Sequence, residues 1–359
     1  MTRLRTLTGM RVVAGIAGVI LIFLMLSEFF VSFMLPRRVK RDPRIARGLN
    51  RLLWRPWRAL ARQFRPATAD TLLGFFGPLA LIVQLVVWAI GLVIGYGLLE
   101  WAVAGGSFND RFLSSSGLFL SAGAAEGSTG LHVVQLIEAA TGVGVLFIVI
   151  GYMPSVYSAF SRRETAVSQL ATRGGSPPAA GTLLHRAAGH ERWHDLELDL
   201  RSWEEWAAEL METHLSYPLL SFYRSQHVGQ NWLAALTAMV DVAAFVKATT
   251  PDVDGADITY RIGRHALADL SHQFSLDPVV VDRLTDGEFD DLFGIVERST
   301  VANADRETAR RHLDHLRAEY EPNAQALADY LALELPPWFR GSDFAKRARA
   351  AVGRDLVGR

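Results

Sequence analysis

The residues with the clearest chemical potential lie in the segment His190-Glu191-Arg192-Trp193-His194. On a helix the two histidines would lie four residues apart on one face, where they could share a zinc ion with the glutamate as general base. The surrounding residues are charged, whereas helices that carry such zinc sites are buried and apolar. The segment therefore favours a solvated helix surface, and the sequence predicts neither an enzyme nor a bound metal or cofactor.

The sequence contains no cysteine. This excludes disulfide bonds, thiolate metal sites and a cysteine nucleophile.

A second candidate site lies at 105–131, a segment too apolar for a plain exposed loop. Its first half fits a short helix, and small and polar residues follow: Ser121, Ala122, Gly123, Ala124, Ala125 and Glu126. A short helix followed by such a turn, between two membrane helices, is the outline of a re-entrant pore loop. Irregular backbone at membrane depth must be sheltered by protein or by a water-filled cavity. The segment therefore predicts a pore loop sheltered by neighbouring subunits, with a plain external loop as the alternative.

Three apolar segments must position this loop: 12–35, 72–103 and 133–160. Each exceeds the roughly 20 residues that cross a bilayer as a helix. The first could imitate a signal peptide, but it is too long for one and ends in bulky residues. The sequence therefore predicts an integral membrane protein with a retained first helix.

The distribution of basic residues predicts the orientation of these helices. Residues 36–66 contain eleven Lys or Arg and one acid, and the third apolar segment ends in Ser161-Arg162-Arg163. The segment 105–132 has one Arg and two acids. Basic loops stay in the cytoplasm. We therefore expect an external N-terminus and a cytoplasmic C-terminal domain, although three N-terminal arginines count against it.

Seven arginines of the basic loop are spaced three or four residues apart. They are Arg44, Arg47, Arg51, Arg55, Arg58, Arg62 and Arg65. This spacing predicts one stripe along an amphipathic helix within 36–69, which would lie on the inner leaflet and bind anionic lipid. Pro56 is expected to kink or divide it. A voltage-sensing helix is disfavoured because the segment lacks a membrane-length apolar run.

The chain after residue 164 has the pattern of a soluble domain. Amphipathic stretches predict helices at 193–215, 218–247, 259–274, 278–296, 306–333 and 341–356. Strand patterns are scarce, so we expect an all-α domain. The sequence has no segment of alternating basic and aromatic residues, so it does not predict nucleic-acid binding.

Residues 70 to about 180 resemble the pore module of bacterial potassium-channel-like membrane proteins, the two-pore-domain potassium channel family or ion-channel-domain proteins. The matching segments are Ser116-Gly117-Leu118-Phe119-Leu120, Glu138-Ala139-Ala140-Thr141-Gly142, Gly151-Tyr152-Met153-Pro154, Phe160-Ser161-Arg162-Arg163-Glu164 and Gly175-Ser176-Pro177-Pro178. Two segments of the soluble domain, 223–227 and 232–236, also match.

The residue pattern and this resemblance together predict an all-α membrane protein of the bacterial cytoplasmic membrane. Its parts are an N-terminal transmembrane helix (1–35), the basic segment (36–69), a pore module (70–163) and a cytoplasmic helical domain (164–359). Within the pore module, the helices 72–103 and 133–160 would flank a pore loop at 107–130. One pore loop per chain implies a homotetramer, because four copies close the ring.

The segment aligned with the selectivity filter departs from the family's Thr-Leu-Gly-Tyr-Gly-Asp. Aligned on Gly123, Ala124 replaces the tyrosine, Ala125 the second glycine and Glu126 the aspartate. Potassium filters coordinate the ion with backbone carbonyls, and an L-residue in the left-handed conformation that this requires costs about 1–2 kcal/mol. We therefore expect a cation channel with altered or lost potassium selectivity.

The inner helix carries Gly142, Gly144, Gly151 and Pro154. These glycines could be gating hinges or small residues for close helix packing, and packing is favoured. The alternatives to a channel are a non-conducting scaffold whose helical domain binds a partner and, last, a membrane-anchored enzyme that uses the His190 motif.

Overall fold

The computed structural model describes residues 2–33, 45–120, 127–188, 192–227, 229–250, 253–298 and 305–339. All regular structure in these ranges is helical, which confirms the all-α prediction. The chain divides into two compact units, Met1–Ser158 and Ala159–Arg359.

Six helices begin in the first unit. They are α1 (Thr2–Phe33), α2 (Ile45–Ala61), α3 (Pro66–Gly74), α4 (Phe76–Ala104), α5 (Phe108–Phe119) and α6 (Thr129–Gly174). Segments within α1, α3–α4 and α6 are long and apolar enough to cross a membrane. This length and composition agree with the membrane protein that the sequence predicts.

Two helix boundaries in the first unit differ from the expected ones. The predicted helix 72–103 is two helices, because α3 ends at Gly74 and α4 begins at Phe76. Helix α6 continues to Gly174 and contains Pro154 without interruption. At about 1.5 Å per residue, its 46 residues exceed the thickness of a hydrocarbon core about twofold.

Helices α1 and α4 pack antiparallel and very closely. Arg11, near the start of α1, donates hydrogen bonds of 2.8 and 2.9 Å to the carbonyl oxygens of Ala102 and Val103 at the end of α4. Toward the other end of α1, Phe29 meets Trp88 edge-to-face at 5.5 Å. A Cβ atom on Gly18 would lie 2.6 Å from the carbonyl oxygen of Gly95. Small residues therefore set this helix spacing, as in many membrane interfaces.

Helix α2 is continuous through Pro56, so the proline does not divide the basic helix. Trp54 is buried and meets Phe76 at 4.7 Å, which attaches α2 to the start of α4. The helix ends at Ala61, before the last arginines of the predicted stripe.

The second unit contains the end of α6 and the helices of the soluble pattern. These are α7 (Ala180–Ala188), α8 (Trp193–Ser216), a 3₁₀ helix (Pro218–Phe222), α9 (Trp232–Thr249), α10 (Ala256–Gln273), α11 (Asp286–Glu297) and α12 (Arg306–Leu331). Helix α9 is the core, since every residue except Lys247 is buried. It packs against α7, α8, α10 and α12.

Side-chain caps define the starts of three helices here. The side chain of Asn231 accepts a hydrogen bond from the backbone of Ala234 at the start of α9. The side chain of Asp305 accepts hydrogen bonds from the backbones of Glu307 and Thr308 at the start of α12. Thr285 and Glu288 form a capping box on α11. Such caps satisfy backbone donors that a helix start leaves free.

Two predicted helices of this unit are wrong in extent. The predicted helix 218–247 is interrupted, because a 3₁₀ turn and a non-helical segment precede α9. The predicted helix 278–296 begins only at Asp286. The predicted helix 341–356 lies outside the described residues, and helix α7 was not predicted.

Candidate functional site

The short helix α5 lies against two long helices of the first unit, α4 and α6. It packs on α4, and its last residues meet α6 at Gly142, where a Cβ atom would overlap the carbonyl oxygen of Phe119. Leu118 and Phe119 are buried. The chain therefore enters segment 121–126 from a point fixed between α4 and α6.

Four polar side chains are buried where these three helices meet, and we call them the acid cluster. They are Glu100 of α4, Ser115 of α5, and Gln135 and Glu138 of α6, each at most 2 % exposed. The hydroxyl oxygen of Ser115 lies 2.5 Å from Glu138 Oε1 and 2.9 Å from the carbonyl oxygen of Val93. Ser115 therefore links α6 to α4 through α5.

Most oxygen atoms of the acid cluster lack a donor. Both carboxylate oxygens of Glu100, Oε2 of Glu138 and Oε1 of Gln135 are buried and make no hydrogen bond of standard geometry within the described residues. Ser114, Gln135 and Glu138 lie close enough to Glu100 to interact with it. Buried acceptors without donors are costly, so this arrangement needs a chemical explanation.

Two charged or titratable residues near the acid cluster, Tyr96 and Arg111, make hydrogen bonds to other residues. Tyr96 exchanges a hydrogen bond of 2.8 Å with Thr141. Arg111 influences Glu100 electrostatically, but its Nε atom donates to the carbonyl oxygen of Gly105 at 3.2 Å. The described residues form no ion pair with either glutamate of the cluster.

The structure describes the predicted inner-helix residues but not the predicted filter residues. Ser121, Ala122, Gly123, Ala124, Ala125 and Glu126 lie outside the described residues. Gly142 makes the close approach to Phe119, whereas a Cβ atom on Gly144 or Gly151 would meet nothing within 4 Å in a single chain. Close packing therefore explains Gly142 alone.

The predicted arginine stripe is shorter than expected. Arg51, Arg55 and Arg58 lie on α2. Arg62 and Arg65 follow its end, because Ala61 closes the helix and Pro66 starts α3. Arg44 and the side chain of Arg47 lie outside the described residues. Leu52 is 71 % exposed beside these arginines, which gives α2 the mixed surface of an interfacial helix.

In the second unit, the end of α6 is held by a buried arginine. Arg163 donates hydrogen bonds to the carbonyl oxygens of Leu220 and Tyr223, at 2.9 and 3.0 Å, and pairs with Glu164. Its Nη1 atom also lies 3.3 Å from Nε2 of His214. This cluster, which we call the Arg163 clamp, joins α6 to α8 and to the 3₁₀ segment.

The protonation state of His214 follows from its neighbours. Its Nδ1 atom lies 2.8 Å from the carbonyl oxygen of Leu210, so Nδ1 must donate and Nε2 is left as the acceptor for Arg163. Burial, reinforced by the charge of Arg163, lowers the pKa of His214 to about 3. His214 is therefore neutral in the folded protein.

A second buried network stabilises the core around α9. Arg283 donates to both carboxylate oxygens of Asp241, at 3.1 and 2.6 Å, and to Glu321 at 2.9 Å. Tyr320 donates to the same aspartate. All charges are paired, so the network is a structural one that fixes the segment before α11 to the core.

The His190 motif does not form one helix in the described chain. His190 and Glu191 lie outside the described residues, α8 begins only at Trp193, and His194 is exposed and pairs with Glu197. No group of three metal-ligating side chains occurs in the described ranges.

Sequence reasoning missed the acid cluster and the Arg163 clamp. Glu138 appeared only as part of a motif, without a role. The available signal was the presence of Glu100, Gln135 and Glu138 in segments otherwise apolar, because polar residues in membrane helices mark functional positions. No comparable signal in the sequence pointed to the pairing of Arg163 with His214.

No family model, no curated protein and no solved structure matches the chain. The resemblance to potassium-channel-like proteins therefore stays a prediction.

Proposed function

We propose that the protein is a channel-like membrane protein that assembles as a tetramer around the segment 121–126. The observation that carries this proposal is the position of α5. This 12-residue helix lies between two long apolar helices and leads directly into the small-residue segment. A pore helix that enters a re-entrant loop has this arrangement, and such a loop needs neighbouring subunits to shelter it.

The surface of α6 supports assembly. Leu136, Phe147 and Ile150 are 71, 69 and 58 % exposed in the single chain. In a tetramer these side chains would be divided between lipid and neighbouring subunits, whereas an aqueous surface would leave them in water. The exposed arginines of α2 would contact anionic lipid headgroups.

Segment 121–126 supports conduction with weak selectivity. Ala124 and Ala125 occupy positions where potassium filters carry an aromatic residue and a glycine. In a tetramer, the backbone conformation of a potassium filter would therefore be strained at Ala125 in each of the four subunits. Glu126 would place one carboxylate per subunit at the mouth, and a ring of acids favours monovalent cations over anions.

The Arg163 clamp supports a gating role for the soluble domain. Because α6 is continuous, a movement of α8 or of the 3₁₀ segment would pull directly on the end of the proposed inner helix. The N-terminus would lie outside and the domain in the cytoplasm of a bacterial cell.

The experiment combines assembly and conduction. Light scattering in detergent should give four times the 39.6 kDa chain mass, and planar bilayers should show cation currents with little discrimination between K⁺ and Na⁺. Glu126→Gln should reduce the cation-to-anion preference. Asp110→Asn, an exposed acid on α5, is the matched control and should not. A monomer would refute the channel, and strong K⁺ selectivity would refute the argument about the filter.

The second candidate is a non-conducting scaffold. The alanines at 124 and 125 favour it, since they remove the glycine and aromatic that an ordinary potassium filter uses. A folded tetramer that passes no current in bilayers would establish this alternative.

A further inference from the structure

The hydroxyl of Ser115 has more acceptors than it can serve. It carries one proton, yet its oxygen lies within hydrogen-bond distance of both Glu138 Oε1 and the carbonyl oxygen of Val93. A carbonyl can only accept. If Ser115 donates to Val93, then its contact with Glu138 is a hydrogen bond only when the carboxyl group donates. A protonated Glu138 satisfies both contacts.

The remaining oxygens of the acid cluster point to the same shortage of protons. Glu100 has two buried oxygens with no hydrogen bond of standard geometry, although Ser114 and Gln135 lie close enough to donate to it, and Glu138 has one such oxygen. Turning the Gln135 amide would supply a donor to Glu100, because the two ends of an amide are interchangeable in shape. The two carboxyl groups would still face each other, and two like charges in one buried site cannot both persist.

No charged group among the described residues forms an ion pair with either carboxyl group, although the charge of Arg111 acts on Glu100 electrostatically. On α4, Tyr96 is bonded to Thr141 of α6. On α5, Arg111 donates to Gly105. On α1, Arg11 donates to the last carbonyl oxygens of α4.

We propose that Glu100 and Glu138 form a proton-binding site that holds one proton. Glu138 carries this proton on the oxygen that faces Ser115, while Ser115 donates to the Val93 carbonyl oxygen of α4. A bound cation would also answer the excess of acceptors. However, it would leave the double contact of Ser115 unexplained, because a metal ion supplies no proton to the hydroxyl. The site does not depend on whether the protein conducts ions.

Infrared spectroscopy of the full-length protein in lipid tests this directly, because protonated carboxyl groups absorb apart from carboxylates. At neutral pH the wild type should show a carboxylic-acid band that fades as the pH is raised. The band should be lost in the double variant Glu100→Gln, Glu138→Gln and kept in the control Asp110→Asn. The amide band of each variant reports whether its helices are intact.

A second measurement does not depend on the variants' spectra. The thermal midpoint of the wild type should fall more steeply toward alkaline pH than that of Glu138→Gln, since the glutamine keeps the neutral, hydrogen-bonding form. Absence of a carboxylic-acid band from the wild type at neutral pH would overturn the proposal. So would a thermal midpoint that rises on adding Na⁺ or K⁺ without such a band, which would indicate a cation site.

Discussion

Neutral His214 makes the stability of the second unit sensitive to acid. In the folded protein its pKa is about 3, against an ordinary value of 6.5. The folded state therefore binds fewer protons than the unfolded state as the pH falls below 6.5. The stability from the neutral imidazole is complete above pH 6.5 and is lost as the pH falls toward 3.

The size of this effect follows from the two pKa values. At pH 5 the unfolded histidine is almost fully protonated, while the folded one is not. Each pH unit between them is worth about 1.4 kcal/mol, so the domain should lose about 2 kcal/mol between neutral pH and pH 5 through this one residue. Protonation of His214 would place its charge beside that of Arg163, so we expect the Arg163 clamp to break as this stability is lost.

Hydrogen exchange of the α9 amides, corrected for intrinsic rates, measures this stability in the intact protein. The wild type should lose about 2 kcal/mol more between pH 7 and pH 5 than His214→Gln, which keeps an acceptor near Arg163 but cannot titrate. His265→Gln, at an exposed histidine, is the control and should behave as the wild type. Equal losses in wild type and His214→Gln would refute the reasoning.

Three further substitutions test packing and charge pairing. Gly142→Ala should destabilise the first unit by about 1–3 kcal/mol through overlap with α5, whereas Gly144→Ala should not, as thermal unfolding in detergent will show. Arg283→Met leaves the buried carboxylate of Asp241 without its cation and should cost about 3–5 kcal/mol, against about 0.5 kcal/mol or less for the exposed Arg261→Met, measured by urea unfolding. Thr285→Ala removes one half of a capping box and should cost about 1 kcal/mol, with faster amide exchange confined to the first turn of α11.

The helices best predicted from the sequence are those with one apolar face. Helices α8, α10 and α12 begin within three residues of their predicted starts, because amphipathic periodicity marks them locally. The long apolar helices were recognised by composition alone. Helix α7 was missed, since its nine residues are too few for a clear pattern.

The errors come from long-range contacts. The segment before α11 has helical composition, but Arg283 binds Asp241, 42 residues earlier, and the backbone of Val279 donates to Pro322. These contacts hold it in a non-helical path. The start of α9 was misplaced because a helix buried on all sides shows no polar face that marks where it begins.

The candidate site also has one part that local sequence predicts and one part that depends on long-range contacts. A short helix before 121–126 follows from local sequence, and α5 is present. The acid cluster depends on three helices that bring Glu100, Ser115 and Glu138 together. No local pattern specifies that Ser115 faces both of the others.

Helix α9 has a consequence for how the protein is made. Its 18 residues are apolar enough to cross a bilayer, yet 94 % of them are buried inside the second unit. The helices α10 and α12 that cover it are synthesised later, so α9 leaves the ribosome without the helices that bury it. Asp241 at its middle opposes insertion by about 2.5–3.5 kcal/mol. Asp241, which binds Arg283 in the core, thus also disfavours insertion of α9 into a membrane during synthesis.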